Sequence, residues 1–285
     1  MGLMAVLGIL LVVGTVLAVR WGGTPYQTWV AASPGSAANV RAAALTYLRA
    51  VAIALVAGFW TGALVTGPAM RLIMRLLAVT AGDSAQGSIT EADQIVGDIS
   101  LDGTFGLYIF GGILPALLSG ALYVLVRRWL PAGRAGGVVF GLLHLIIGAT
   151  RVDPLRAENL DFRLVGPGWL SVLTFGAAAI LHGMAVAAFA NRYSASFPPA
   201  GADSQARKNG LLPLVLPGLF LIPGFFLLLP IGLGLVVVLV ANRLARGSRL
   251  SPSPRLILAG RIAISVLALL LLPGTVQNLV DIIRA

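Results

Sequence analysis

Seven stretches of this chain, residues 1–19, 50–68, 103–126, 135–150, 166–191, 211–242 and 262–280, contain no Asp, Glu, Lys or Arg. A helix needs about 20 predominantly apolar residues to cross a bilayer, and six of these stretches have close to that length. The rest of the chain is too poor in polar residues to wrap them in a water-facing shell. Only 11% of the residues are charged and 58% are hydrophobic, against about 25% charged in a soluble domain. The expectation is an all-α, polytopic helical transmembrane bundle of about six spans, plus a proline-broken hairpin or re-entrant segment.

The net charge of +10 would suggest nucleic acid in a soluble protein. Here the bases are spread along the edges of apolar runs instead of forming a stripe or tail, as expected of a membrane protein whose arginines mark interfaces. The expected partner is therefore the lipid bilayer, with a membrane-protein partner or a second copy of the chain, and not nucleic acid. Nineteen of the twenty bases are Arg and cysteine is absent, so no disulfide, thiolate metal site or cysteine nucleophile is available. The Arg, Ala and Gly bias points to a high-GC bacterial genome and a multi-pass place in the plasma membrane. Residues 1–19 have no basic n-region and no small-residue exit, so they are expected to stay as a span.

Residues 211–242 carry Pro213, Pro217, Pro223 and Pro230. If they cross once, the eighteen Lys and Arg from Arg20 to Arg255 divide nine to nine between the two sides; if they double back at Pro223-Gly224, the division becomes thirteen to five. The positive-inside rule therefore favours a hairpin. The organisation expected is a five-span bundle over 1–195 with two acidic extracytoplasmic loops, a cytoplasmic linker over 196–210, and a hairpin with a final span over 211–285. Within the spans, small residues recur every four positions: Gly58 and Gly62; Gly112, Ala116 and Gly120; Gly137 and Gly141; Ala179, Gly183 and Ala187. Each set makes a smooth helix face against which another backbone can pack.

Eight of the ten acids fall within 83–102 and 153–161. Arg71 and Arg75, one helical turn apart, precede the first acidic segment. Together with Glu91, Asp93, Asp98, Asp153 and Asp161 they form the candidate cluster. One reading is structural: Ser88 with Glu91, or Thr90 with Asp93, caps a short helix, and the arginines pair with Glu91, Asp93 or Asp98. The other is an extracytoplasmic site for a cation or a basic ligand, shared with Asp153, Glu158 and Asp161 of the second acidic segment. The alternating oxygen ligands of a calcium loop are missing, so no metal is expected, and no cofactor.

His144 and His182 are intramembrane polar groups, which are functional candidates by default. Counted from the ends of their spans at about 1.5 Å per residue, they lie roughly 9 Å and 21–24 Å deep, which predicts that they stay apart and that each bonds a neighbouring helix. No HExxH, GxSxG, Walker or GxGxxG motif occurs in a suitable context, and Ser119 and Ser171 show no base at helical spacing.

The blocks MRLIMRLLA, TEADQIVGDISLDGT, LYVLVRRWLP and LDFRLVGPGWL, spanning about residues 68–172, resemble an uncharacterised family of actinobacterial multi-pass membrane proteins. That resemblance implies a bacterial membrane home and brings no activity with it. The leading functional expectation is a non-catalytic membrane component or assembly partner, with the enzyme reading disfavoured. The alternatives are a small-solute transporter or channel, and an interfacial enzyme acting on a lipid-linked phosphate.

Overall fold

The computed structural model describes residues 2–28, 36–151, 154–197 and 254–284, with Leu216, Pro217 and Gly234. The hairpin expected over 211–242 therefore lies outside the described residues, as does Asp153. Helices account for nearly all regular structure: α1 (Gly2–Trp21), α2 (Ser36–Thr61), α3 (Gly67–Thr80), α4 (Leu101–Gly106), α5 (Leu114–Val126), α6 (Arg134–Leu143), α7 (Asp161–Leu164), α8 (Gly168–Ser196) and α9 (Pro254–Arg284). Among the described residues there is no strand, only an isolated antiparallel bridge between Ile89 and Ile95. Five helices are long and apolar enough to cross a membrane, and a shorter apolar one starts at Arg134. The chain is an all-α polytopic bundle.

The second uncharged stretch was counted to Pro68, a residue type that removes a helical N–H and clashes with the carbonyl four residues back. Instead one helical body runs from Ala44 to Thr80. A π-helical turn, Gly62–Thr66, sits just before the proline and absorbs the clash, so that Pro68 becomes the second residue of α3. The Gly67 amide reaches back five residues to the Gly62 carbonyl. That leaves the Ala63 carbonyl without its usual partner, and a buried orphan carbonyl needs a donor. The Tyr108 hydroxyl supplies it from the facing helix. The same device recurs at Pro115, the second residue of α5, where π-helical Leu107–Ile113 precedes it and the Leu114 amide bonds the Ile109 carbonyl. A third π segment, His144–Ala149, extends α6.

The small-residue faces meet each other. A Cβ added at Gly58 would strike the backbone of Ala116 and Leu117, one at Gly62 that of Gly112 and Ile113, and one at Gly112 that of Gly67. On the second seam, Gly137 lies against Met184 and Ala187, and Gly141 against Ala179 and Ile180. Glycine here has a steric purpose, because any side chain would separate the backbones. Around these seams sits a core that includes Ile53, Val56, Val65, Phe140, Val186 and Phe189, all buried.

The connection between α3 and α4 forms a roof over one end of the bundle. The expected helix with a Ser88 or Thr90 cap is absent. Thr90 and Gln94 instead close a tight turn through Thr90 N to Gln94 O at 2.9 Å, with Asp93 at φ 54°. Asp is among the residues that tolerate this left-handed backbone. The short helix starts later, at α4, where the Ser100 hydroxyl accepts from the Gly103 amide at 3.2 Å. Gln86 ties the roof down by donating to the Ala78 carbonyl at 2.8 Å. A second apolar cluster lies beneath, with Leu77, Val96, Leu155, Phe162 and Phe175 all buried. At the opposite end of the bundle, Arg49 donates to the Phe197 and Gln27 carbonyls at 3.2 Å each. There Arg127 also stacks over Tyr26, 3.5 Å from the ring centre.

Candidate functional site

The roof encloses a cavity of about 520 Å³ whose walls come from α3, the loop 90–100, α4 with its π extension, and the loop 154–165. Five charged side chains line it: Arg71 and Arg75 from α3, Asp98 and Asp102 at the loop end, and Asp161 from α7. Met70, Met74, Leu107, Phe110 and Phe175 give it an apolar wall. Phe110 is both lining and 71% exposed, so the apolar side of the cavity opens outward from the bundle.

Among the described residues the two arginines form no ion pair of the kind expected. Arg71 Nε donates to Thr104 Oγ1 at 3.0 Å, and Arg75 Nη1 to the Gly97 carbonyl at 3.0 Å. Glu91 pairs with Arg156 at 3.2 Å instead, on the outer surface. The physical reason is the tight turn at 90–94, which carries Glu91 toward the α7 side, where its amide donates to Asp161 Oδ1 at 2.8 Å. Asp93, exposed at the turn, lines no part of the cavity. Asp98 accepts from the neighbouring Ile99 amide at 2.7 Å. Burial pushes the Asp161 carboxyl above the usual carboxylate value and the Glu91 charge adds to this, while the Glu91 amide opposes it. Of the predicted cluster, Arg71, Arg75, Asp98 and Asp161 come together around one space; Asp102 joins them.

A second polar group lies inside the bundle. His144 and His182, expected to lie at different depths, have ring centres 5.0 Å apart. The depth estimate assumed that both helices end at one level. In the structure the α6 extension stops inside the bundle, at a Thr150 only 1% exposed whose carbonyl is held by Asn278 Nδ2 at 2.7 Å. Its partner α8 starts further out, beyond the loop. The glycine faces carried the correct signal: Gly137 lies against Ala187 and Gly141 against Ile180, an antiparallel register that brings His144 near His182.

Each histidine does bond a neighbouring helix. His182 Nδ1 lies 2.7 Å from Thr66 Oγ1, in the π turn that precedes Pro68. His144 Nδ1 faces the Phe140 carbonyl at 3.1 Å, and Nε2 the Ser119 hydroxyl at 2.7 Å. A carbonyl only accepts, so neutral His144 carries its proton on Nδ1, and Nε2 accepts from Ser119. Ser119, which showed no base at helical spacing, thus has one from another helix. That is the contact of a nucleophile with its general base. The remaining requirements are not met: Ser119 is 3% exposed, a backbone carbonyl stands where a carboxylate would orient the base, and neither the roofed cavity nor the polar crevice at Arg151, Glu158 and Asn278 reaches it. Among the described residues no group of three or more His, Asp or Glu assembles as a metal site would need. His182 Nε2 is buried and has no hydrogen-bond partner among the described residues.

Comparison of the chain with family models, with curated proteins and with solved structures gives no match.

Proposed function

We propose that this protein is a non-catalytic component of a bacterial plasma membrane that works by holding an amphiphilic ligand in the roofed cavity. The observation that supports this reading is the state of Arg71 and Arg75. Both arginines line the same cavity, and neither forms an ion pair among the described residues. The like charge of Arg75 weighs on Arg71 more than the opposite charge of Asp98 relieves it, and a ligand that brings negative charge to the pair removes that cost. The cavity volume falls within the range of about 300–1,000 Å³ of small-molecule sites.

Binding is favoured over catalysis because the Ser100 hydroxyl, which lies against the Asp102 carboxylate, is engaged in capping α4, and the acids of the cavity are spread over separate elements. The Ser119–His144 contact supports an intramembrane hydrolase as a second reading, but its burial leaves a substrate no approach. The test is native mass spectrometry of the full-length protein released gently from detergent. The wild type is expected to carry bound non-protein mass, which a cavity-filling Met74→Trp variant of unchanged thermal stability loses. Equal retention by both proteins, or no bound mass in either, refutes the reading.

A further inference from the structure

We infer that the ligand head is zwitterionic, a phosphate joined to an ammonium as in phosphatidylethanolamine, with the phosphate on Arg71 and Arg75 and the ammonium toward Asp98, Asp102 and Asp161. The inference rests on the binding reading above and specifies its chemistry. Two positive and three negative side chains line one cavity; none of the five forms an ion pair with another among the described residues, although Asp98 acts on Arg71 at longer range. The positive charges belong to α3; the negative ones belong to the loop end, the first turn of α4, and α7.

A ligand with a single negative charge would gain from the arginines and be repelled by three carboxylates. One with a single positive charge would meet the reverse. A dipolar head satisfies both walls, and electrostatic complementarity of this kind gives specificity more than raw affinity. The arginines are suited to phosphate. Their Cβ atoms, at i and i+4, stand about 5–6 Å apart, and each guanidinium makes one hydrogen bond among the described residues out of five available N–H donors. Arginine's planar fork can then bind phosphate oxygens in bidentate fashion.

The apolar wall argues for a lipid as the source of the head. Met70, Met74 and Leu107 continue the cavity toward Phe110, whose ring is 71% exposed. Acyl chains can leave along that side into the bilayer while the head stays under the roof. A free phosphate monoester would leave this wall bare. Adaptable methionines suit a chain of no fixed shape.

The experiment uses the full-length protein in mild detergent, supplied with phosphatidylethanolamine, phosphatidylglycerol or soluble O-phosphoethanolamine, with bound lipid read by native mass spectrometry and protection by thermal melting. Phosphatidylethanolamine is expected to bind at least tenfold tighter than phosphatidylglycerol. Arg75→Gln should weaken both lipids, and Arg75→Lys should restore part of the loss. The double variant Asp98→Asn with Asp161→Asn should lose the preference by weakening phosphatidylethanolamine alone. Soluble phosphoethanolamine should protect at least 100-fold more weakly than the lipid.

Equal or tighter binding of phosphatidylglycerol, still sensitive to Arg75, overturns the zwitterionic head and leaves the binding reading standing. Protection by phosphoethanolamine as strong as by the lipid overturns the lipid source. Lipid retention indifferent to Arg75→Gln and to Met74→Trp, in variants that melt like the wild type, overturns inference and binding reading together.

Discussion

Replacing Gly141 with alanine tests the seam that brings the two histidines together. The added Cβ would lie 2.6 Å from the Ile180 Cα, 2.8 Å from the Ala179 carbonyl oxygen and 2.8 Å from the Ile180 carbonyl oxygen. All three are backbone atoms, so no side chain can rotate away. Ordinary carbon contacts lie at about 3.5–4.0 Å, so α6 and α8 must separate by roughly 1 Å along the seam. Overpacking of this size costs about 1–3 kcal/mol. Against it stands the gain of up to about 1 kcal/mol from replacing helical glycine with alanine. Gly176 on α8 provides the control, since an added Cβ there meets nothing within 4 Å. Gly176→Ala keeps the propensity gain and lacks the clash. The propensity gain then cancels between the two variants, and Gly141→Ala should be less stable than Gly176→Ala by about 1–3 kcal/mol, roughly five- to 150-fold in the unfolding equilibrium. Reversible SDS titration in mixed micelles, followed by tryptophan fluorescence, measures the difference. Equal midpoints for the two variants would refute the steric account of this seam.

Three further outcomes follow from specific contacts. Thr66→Val should destabilise by about 0.6–1.7 kcal/mol, the range for interhelical hydrogen bonds in membranes, because it removes the 2.7 Å partner of His182; in the same assay Ser119→Ala should cost a similar amount, and a fluorophosphonate probe should leave wild-type Ser119 unlabelled, whereas stoichiometric labelling would revive the hydrolase reading. Glu91→Gln should change stability by under about 1 kcal/mol and lose that effect in 1 M salt, since both partners of the Arg156–Glu91 pair are part-exposed, at 31% and 44%; a larger, salt-independent effect would show that the pair anchors the roof. Asp161 titrates above its ordinary value of 3.8, so it takes up its proton more readily in the folded protein. Its contribution is therefore fully present below about pH 3.8 and is lost as pH rises through the folded-state value. Wild type should gain stability relative to Asp161→Asn on acidification through that window, and a gain on alkalinisation would contradict the burial of this carboxyl.

The spans and both glycine seams were legible because they rest on local quantities: apolar length, and small residues four apart. The continuous helix across Pro68 was not read from the sequence, although a signal for it exists. Gly58 and Gly62 are four apart, but the next seam glycine, Gly67, follows after five residues, just ahead of the proline. A five-residue step in a four-residue seam is what an inserted π turn produces. The histidine contact was missed for a related reason, since depth was counted from helix ends when the register lay in Gly137 and Gly141 against α8. Arg71 and Arg75 were recognised as candidates from their spacing, and Asp98 does share their cavity, but Glu91 and Asp93 lie elsewhere. Which loop acid faces a helix depends on the path of the loop, and the bridge at Ile89 and Ile95 and the left-handed Asp93 set that path.

One chain of cause links the intramembrane histidines to the cavity. Pro68 cannot donate to the carbonyl four residues back, so the helix opens into a π turn, and the freed Ala63 carbonyl takes the Tyr108 hydroxyl. That bond and the close contact of Gly67 with Gly112 hold the π segment that follows α4 against the start of α3. The same turn places Thr66 on His182, while one turn beyond the proline Arg71 reaches across to Thr104 in α4. The cavity wall is therefore fixed from below by a helix crossing that tolerates no added atom, while its roof is held by side-chain and turn hydrogen bonds, a part-exposed ion pair and the burial of Ala85 and Val96 in the cluster beneath. Exposed, sparsely bonded elements open at lower free energy than packed crossings. A ligand entering past Phe110 would thus displace the roof and leave α3 and its two arginines in place.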